Sequence, residues 1–237
     1  MRSRYGLDLD PIQTDTSRTP PNEFVLEIQN PLKADPRAFI ASGCRATCFY
    51  LDELQDHNVD PMKFARVLEF GVGLGRLMRH LVAFPAELYA CDLTPNVLRY
   101  TESVLHGRVD CVESSEAPPL PYDDGFFDYV YANSVFTHIR LPLTREWIAE
   151  LARIIRPGGT AIVSVFEANR YLGHLTEREF DEVEHGDGYY EWGDDSVLQT
   201  FSYMTPRRLA EEWGQHFDVL ELRHHFRDQS HVVLRRP

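Results

Sequence analysis

The sequence predicts an α/β protein with a doubly wound, mostly parallel sheet. From residue 66 onward, short apolar runs typical of strands alternate with runs of helical periodicity. Turns rich in glycine and proline separate these runs, and the apolar fraction of 43% is that of an ordinary globular domain. Strands that alternate with helices pair in parallel through right-handed crossovers, which places helices on both faces of one sheet.

The first 62 residues do not follow this alternation. Residues 1–22 are polar and contain three prolines, which predicts a loose arm. Residues 35–57 begin with Asp35 and Pro36, a helix N-cap followed by a proline at the first helical position. Apolar residues then recur every three or four positions, so we expect one or two amphipathic cap helices, with Gly43 as the point where a break would fall.

The alternating region predicts five strands and three helices before residue 167. The strands are Arg66–Phe70, Glu87–Cys91, Val109–Val112, Phe126–Ala132 and Thr160–Phe166. The helices are Leu74–Ala83, Asn96–Leu105 and Leu143–Ile155, and the last one stops before Pro157-Gly158-Gly159.

Residues 167–204 interrupt the rhythm. They are rich in tyrosine and tryptophan, and the stretch 176–195 holds nine acidic residues against one arginine. This composition predicts a lid or insertion, either a solvated surface or a surface that recognises a cationic acceptor. A helix at Pro206–Phe217 and strands at Asp218–Leu222 and His231–Leu234 close the chain. We therefore divide the chain into an arm with cap helices (1–62) and a main domain (63–237) that carries the lid.

Composition excludes several classes of function. The 24 basic and 37 acidic residues give a net charge of −13, which disfavours nucleic acid as a partner. No apolar run is long enough to cross a membrane, and the N-terminus lacks the apolar core of a signal peptide, so we expect a cytoplasmic protein. The four cysteines lack the spacing of a metal site, and Cys44 and Cys48, four residues apart, leave a redox role open. The oligomeric state stays open between monomer and homodimer.

The first predicted strand runs into a turn that suits close ligand approach. Glu69 precedes glycines at Gly71, Gly73 and Gly75, which let the backbone come near a ligand because no Cβ stands in the way. A dinucleotide fingerprint needs glycine at the sixth position, where this chain has Arg76. The spacing is therefore G-x-G-x-G, at the sheet edge where doubly wound folds bind ligands.

Two carboxylates decide the class of ligand. Glu69, beside the turn, would repel a pyrophosphate and suits a ligand that carries an ammonium group. Asp92 ends the second strand, where a carboxylate can accept hydrogen bonds from both hydroxyls of a ribose. A ribose joined to a cationic amino acid describes S-adenosyl-L-methionine.

Five motifs, in this order, resemble those of the class I S-adenosylmethionine-dependent methyltransferases, in the broad branch that acts on small molecules. They are Val67–Arg76, Tyr89–Leu93, Pro118–Tyr122 with Asp124–Asp128, Ser134–His138 and Leu151–Gly159. Together they cover about residues 64–166. The resemblance implies a Rossmann-like methyltransferase fold whose seven-stranded sheet has the order 3-2-1-4-5-7-6, with the last strand antiparallel.

The resemblance also implies which residues hold the cofactor S-adenosyl-L-methionine. Glu69 and the backbone of the three turn glycines would hold the methionine part, and Asp92 would hold the ribose. Leu93 would pack on the adenine ring, and Ser115 or Glu116 would bond to its amino edge. Asn133 would face the sulfonium side. No metal ligand is implied.

The resulting prediction is an enzyme that transfers a methyl group to an O or N atom of a small-molecule acceptor, with natural-product or sugar biosynthesis as one setting. If the acceptor is a hydroxyl, His138 is the candidate base, since histidine titrates near neutral pH. A packing or helix-start role is the alternative for His138. A protein or polymer methyltransferase with an open groove, and a non-catalytic regulatory module of the same fold, remain the rival functions.

Overall fold

The computed structural model describes residues 11–20, 35–105, 107–167, 176–193, 200–224 and 229–237. The chain divides into two compact units, Met1–Glu116 and Ala117–Pro237. In the first unit the helices are α1 (Pro11–Thr14), α2 (Pro36–Asp56) and α3 (Pro95–Leu105), and the strands are β1 (Arg66–Phe70), β2 (Glu87–Asp92) and β3 (Val109–Glu113). Single 3₁₀ turns lie at Thr16–Arg18, Pro61–Lys63 and Met78–His80.

The sheet of the first unit has the order β3-β2-β1, with all strands parallel. Phe70 pairs with Cys91, and Asp92 pairs with Glu113. The carboxyl ends of β1 and β2 therefore meet at one edge. Buried side chains such as Leu68 and Ala90, both fully inaccessible, fill the layer between sheet and helices.

Helix α2 is continuous, so the break considered at Gly43 is wrong. The helix begins as predicted, with the Asp35 carboxylate accepting a hydrogen bond from the Ala38 N–H at 2.8 Å and with Pro36 at the first position. A Cβ at Gly43 would lie 2.1 Å from the carbonyl oxygen of Arg76. Gly43 therefore permits close approach of the helix to the segment that follows β1.

The helix predicted at Leu74–Ala83 is wrong, because only the 3₁₀ turn Met78–His80 forms there. Local turns link this segment, as in the hydrogen bond from the His80 N–H to the Leu77 carbonyl at 2.9 Å, and two of its carbonyl groups also accept from distant side chains. Thr47 donates to the carbonyl of Leu77 at 3.3 Å, and Gln13 donates to that of His80 at 2.9 Å. Residues 11–20 of the arm are in this way held against the unit, and a hydrogen bond at 3.0 Å from Arg79 to the carbonyl of Arg18 adds to this.

The second unit contains the remaining elements. Its strands are β4 (Phe127–Ala132), β5 (Ile155–Glu167), β6 (Tyr189–Trp192), β7 (Phe201–Met204), β8 (Asp218–Arg223) and β9 (Ser230–Arg235). Its helices are α4 (Leu141–Ile154), α5 (Glu177–His185) and α6 (Pro206–Trp213), so the last helix ends four residues earlier than predicted. Strand β4 is parallel to β5, and β9 lies antiparallel between β5 and β8.

The described residues hold nine strands, whereas the sequence predicts seven. The two additional strands, β6 and β7, belong to the predicted lid, and β7 pairs in parallel with the end of β5. With these two set aside, the orders β3-β2-β1 and β4-β5-β9-β8 reproduce the two halves of the predicted order, including the antiparallel last strand. The described part of the segment predicted as a lid or insertion thus contains one helix and two strands.

Aromatic side chains hold the described part of the lid together. Val183 of α5 and Tyr203 of β7 are buried against Phe180, Tyr190 and Phe201. Most acidic side chains of α5 are exposed, and the Glu179 carboxylate completes a capping box with Thr176. Residues 168–175 and 194–199 of the predicted lid, like 1–10 and 21–34 of the predicted arm, lie outside the described residues.

No helix in the described ranges is both long and apolar enough to cross a membrane.

Candidate functional site

The glycine turn after β1 is held by the end of β2. The N–H groups of Gly71 and Val72 both donate to the carbonyl of Cys91, at 3.0 and 2.9 Å. The N–H of Gly73 donates to Asp92 Oδ2 at 2.8 Å. All three turn glycines have positive φ angles, of 76°, 52° and 68°. The turn therefore depends on glycine, and its backbone is fixed against the residue predicted to hold the ribose.

Asp92 has capacity for a further ligand. Its Oδ1 accepts from the N–H of Thr94 at 2.9 Å, while its Oδ2 accepts from Gly73. An ionised carboxylate has about four lone-pair positions, so two remain for hydroxyl donors. The side chain is partly exposed, which leaves it accessible to a sugar.

Glu69 lies inside strand β1 and is 2% exposed. A buried carboxylate needs a cationic or hydrogen-bonding partner. The neighbouring Cys91 thiol is fully buried, and burial raises its pKa to about 12, with the charges of Asp92 and Glu69 adding to the effect. Cys91 is therefore a neutral thiol that packs in the sheet, and the carboxylates at this edge are those of Glu69 and Asp92.

The candidate adenine contacts lie on the same edge of the first unit. Leu93 follows β2 and is 38% exposed, although it is a large apolar residue. Ser115 and Glu116 follow β3 and are both exposed. The N–H of Ser114 donates to the carbonyl of Asp92 at 3.0 Å, which ties this loop to the end of β2. Exposed apolar surface beside exposed hydrogen-bonding groups suits a flat, polar-edged ring.

Thr101 is a residue that sequence reasoning missed. It lies on α3, is fully buried, and its hydroxyl donates to the carbonyl of Gly73 at 2.6 Å. Its methyl group would lie 3.1 Å from a Cβ placed on Gly75. Thr101 thus fixes the turn from the side opposite to Asp92. The sequence of α3 does not reveal that Thr101, on its buried face, bonds to the turn.

The two other predicted site residues lie in the second unit. Asn133 follows β4, is partly buried, and donates to the hydroxyl of Ser134 at 3.2 Å. His138 lies three residues before α4 and therefore does not start that helix. Its Nδ1 is 2.8 Å from the carbonyl oxygen of Thr200, and its ring packs on Phe201 with centroids 5.1 Å apart.

The surroundings of His138 favour the neutral ring. Burial lowers its pKa from the ordinary value, and the hydrogen bond to the Thr200 carbonyl partly opposes this shift. A carbonyl can only accept, so Nδ1 carries the proton and Nε2 keeps its lone pair. His138 can therefore accept a hydrogen bond at neutral pH, but its lowered pKa makes it a weaker base than an ordinary histidine.

Within the described ranges, no group of three or more histidine, cysteine or acidic side chains could hold a metal ion.

The fold and the glycine turn resemble those of the class I S-adenosylmethionine-dependent methyltransferases. Residues 68–163 match the family model of the methyltransferase domain. The solved structures that resemble this chain include a glycopeptide N-methyltransferase, MtfA, complexed with S-adenosyl-L-homocysteine, with a TM-score of 0.60, 17% identity and coverage of 81% of this chain and 89% of that one. A SAM-dependent methyltransferase from Aquifex aeolicus has a TM-score of 0.61 at 12% identity, over 91% of this chain and 98% of that one.

Curated relatives agree with this assignment. A demethylmenaquinone methyltransferase of Clavibacter sepedonicus is 31% identical over 110 residues, which is 46% of this chain and 44% of that protein. A malonyl-[acyl-carrier protein] O-methyltransferase of Hahella chejuensis is 31% identical over 100 residues, or 41% of this chain and 35% of that protein. The chain thus spans less than half the length of these two relatives. These matches bear out the predicted resemblance to methyltransferases and the predicted fold class, and the positions of the site residues stay predictions.

Proposed function

We propose that this protein is an enzyme that transfers a methyl group from S-adenosyl-L-methionine to an O or N atom of a small-molecule acceptor. The observation that carries the proposal is the turn at Gly71–Gly75, which is fixed by Asp92 and Thr101 and stands beside the buried carboxylate of Glu69. This donor set fits the cofactor, because carboxylates suit its ammonium group and its ribose while the glycines allow close backbone approach.

Each residue then has one task. Glu69 and the glycine backbone hold the methionine part, and Asp92 holds the ribose hydroxyls. When bound, the cofactor supplies an electrophilic methyl group on a sulfonium, so the protein mainly needs to orient the acceptor. Leu93, with Ser115 or Glu116, fixes the adenine.

In the second unit, Asn133 and His138 serve the acceptor side. Asn133 takes the sulfonium side, as the family resemblance implies. His138 serves the acceptor side through Nε2, because its Nδ1 is already bonded to the Thr200 carbonyl. The base role of His138 stays a prediction, and its lowered pKa makes the ring a weaker base than an ordinary histidine.

The relatives do not decide the acceptor. Their names refer to demethylmenaquinone, to malonyl-[acyl-carrier protein] with O-methylation, and to a glycopeptide with N-methylation. A fold licenses no acceptor by itself. The small-molecule class is supported here by the folded lid with its aromatic cluster, which suits covering a compact acceptor.

The test combines binding with product formation. Calorimetry should show saturable binding of S-adenosylhomocysteine, and incubation with S-adenosylmethionine and a panel of phenols, hydroxy acids and primary amines should release S-adenosylhomocysteine. Binding without release on any acceptor would support a non-catalytic module. Release only with a protein or polymer acceptor would support the polymer class.

A further inference from the structure

A polar cluster lies where strand β5 ends, outside the residues used so far. Glu167 is the last residue of β5, and Nδ1 of His224, which follows β8, is 2.6 Å from Glu167 Oε1. The hydroxyl of Ser230, the first residue of β9, donates to the same oxygen. Three elements of the second unit thus converge on one carboxylate.

Burial is distributed unequally over this cluster. The Glu167 side chain is 0% exposed, whereas that of His224 is 48% exposed. Glu167 Oε2 is buried and has no hydrogen-bond partner within the described part of the chain. Burying a carboxylate is costly unless the group is paired with a charge or hydrogen-bonded, so a buried oxygen without a partner needs an explanation.

The contact fixes which nitrogen of His224 carries a proton. An ionised carboxylate can only accept, so Nδ1 donates to it and Nε2 keeps its lone pair. A base oriented by a third group is the arrangement found where an acceptor must be deprotonated.

The location suits such a role. Strands β4 and β5 are parallel, and ligands of doubly wound folds bind outside the carboxyl ends of such strands. A hydrogen-bonded pair, Ser134 after β4 and Gln229 before β9, joins this edge to the cluster, with Gln229 Nε2 2.8 Å from the Ser134 hydroxyl. The cluster therefore belongs to the edge that also carries Asn133.

We propose that His224, oriented by Glu167, takes the proton from the methyl acceptor; this inference rests on the proposed function. The acceptor O–H or N–H proton moves to His224 Nε2, and the electron pair left on the acceptor atom forms the bond to the methyl carbon. The carbon–sulfur bond breaks and sulfur keeps its pair, which yields the methylated acceptor and S-adenosylhomocysteine. His224 is the catalytic residue in this step, and Glu167 is a positioning residue.

The structural alternative is a clasp that holds the β8–β9 hairpin on β5. A clasp would explain the bonds that Ser230 and His224 make to Oε1. It gives no reason for the buried Glu167 Oε2, which has no hydrogen-bond partner within the described part of the chain. His138 differs from His224 because its partner is a neutral carbonyl, which orients the ring but offers less stabilisation to a cation.

The experiment compares His224→Ala and Glu167→Gln with a matched control, His216→Ala, an exposed histidine in the turn after α6. Release of S-adenosylhomocysteine is followed at saturating cofactor with phenols of graded acidity and with primary amines. His224→Ala should lower kcat by about 10²–10⁴-fold with weakly acidic phenols. The loss should be smaller for the most acidic phenol, added imidazole should restore part of it, and the control should match the wild type.

Two further readouts need no acceptor. Calorimetry should give an unchanged affinity for S-adenosylhomocysteine in His224→Ala. Nitrogen-15 NMR of the histidine rings should show His224 protonated at Nδ1 in the wild type, and Glu167→Gln should lower the population of that tautomer while the protein remains folded. The NMR change is the signature expected of a positioning residue.

The outcomes separate this inference from the function on which it rests. A wild type that releases S-adenosylhomocysteine, together with a folded His224→Ala whose kcat stays within about threefold for every phenol, overturns the inference alone. A loss in His224→Ala that does not depend on phenol acidity and that imidazole does not restore also overturns it, in favour of the clasp. A wild type that neither binds nor releases S-adenosylhomocysteine overturns the proposed function, and this inference with it.

Discussion

Replacing Asp92 with alanine tests the cofactor site most sharply. The substitution removes the acceptor of two backbone hydrogen bonds, from Gly73 at 2.8 Å and from Thr94 at 2.9 Å, together with the proposed acceptor for the ribose. Hydrogen bonds to a charged group contribute about 1.5–3 kcal/mol each when desolvated, and the partial exposure of Asp92 reduces this. We expect the binding free energy of S-adenosylhomocysteine to weaken by about 1–3 kcal/mol, or roughly 5- to 150-fold.

The assay is a calorimetric titration of each folded variant. Asp92→Asn keeps one acceptor oxygen and should lose less affinity than Asp92→Ala. Asp110→Ala, an exposed acid on the neighbouring strand β3, is the matched control and should bind like the wild type. A folded Asp92→Ala with wild-type affinity would refute the reasoning, because neither the ribose contact nor the fixed turn would then contribute to binding.

Three further predictions concern strain, pH and the acceptor. Gly75→Ala should lower the free energy of unfolding by about 1–3 kcal/mol, because φ is +68° and Thr101 is close. Gly107→Ala, at φ +65° in open space, should lower it less. Equal losses in urea unfolding would exclude the Thr101 contact as a cause. Burial lowers the pKa of His80 from 6.5 to about 4. As the pH falls, His80 is therefore protonated in the unfolded chain before it is protonated in the folded protein. About 3 kcal/mol of the free energy of unfolding should be lost as pH falls from 6.5 to 4. Unfolding of His80→Gln should lack this part of the pH dependence, and identical profiles would contradict it. His138→Gln, which can still accept a hydrogen bond, should keep turnover within about tenfold, whereas a loss beyond about 10²-fold would restore the base role.

The sheet and the turn could be predicted because their signals are local. Strands β1 to β4 each appear as one apolar run between turns, and Asp92 ends such a run. The part of β5 from Thr160 onward does so too, whereas its start at Ile155, through Pro157-Gly158-Gly159, is predicted from the sequence as the end of a helix and a turn. The 74–83 segment could not be predicted, because two of its carbonyls also accept from Gln13 and Thr47, which lie 67 and 30 residues from their partners. A helical pattern in the sequence does not reveal such long-range contacts.

The same limit explains what was missed at the candidate site. Glu167 and His224 are 57 residues apart and belong to no motif, so only the pairing of β5, β8 and β9 brings them together. The lid strands β6 and β7 are four residues each, which is too short for a visible alternation. Thr101 lies on the buried face of α3, where threonine is indistinguishable from a packing residue.

The central claim is that the turn at Gly71–Gly75, with Glu69 and Asp92, holds S-adenosyl-L-methionine. Titration of the wild-type protein with S-adenosylhomocysteine, and separately with NADH, tests it most directly by calorimetry. The account predicts saturable binding of S-adenosylhomocysteine and none of NADH, because the carboxylates at this edge repel a pyrophosphate. Binding of NADH in place of S-adenosylhomocysteine would contradict the account.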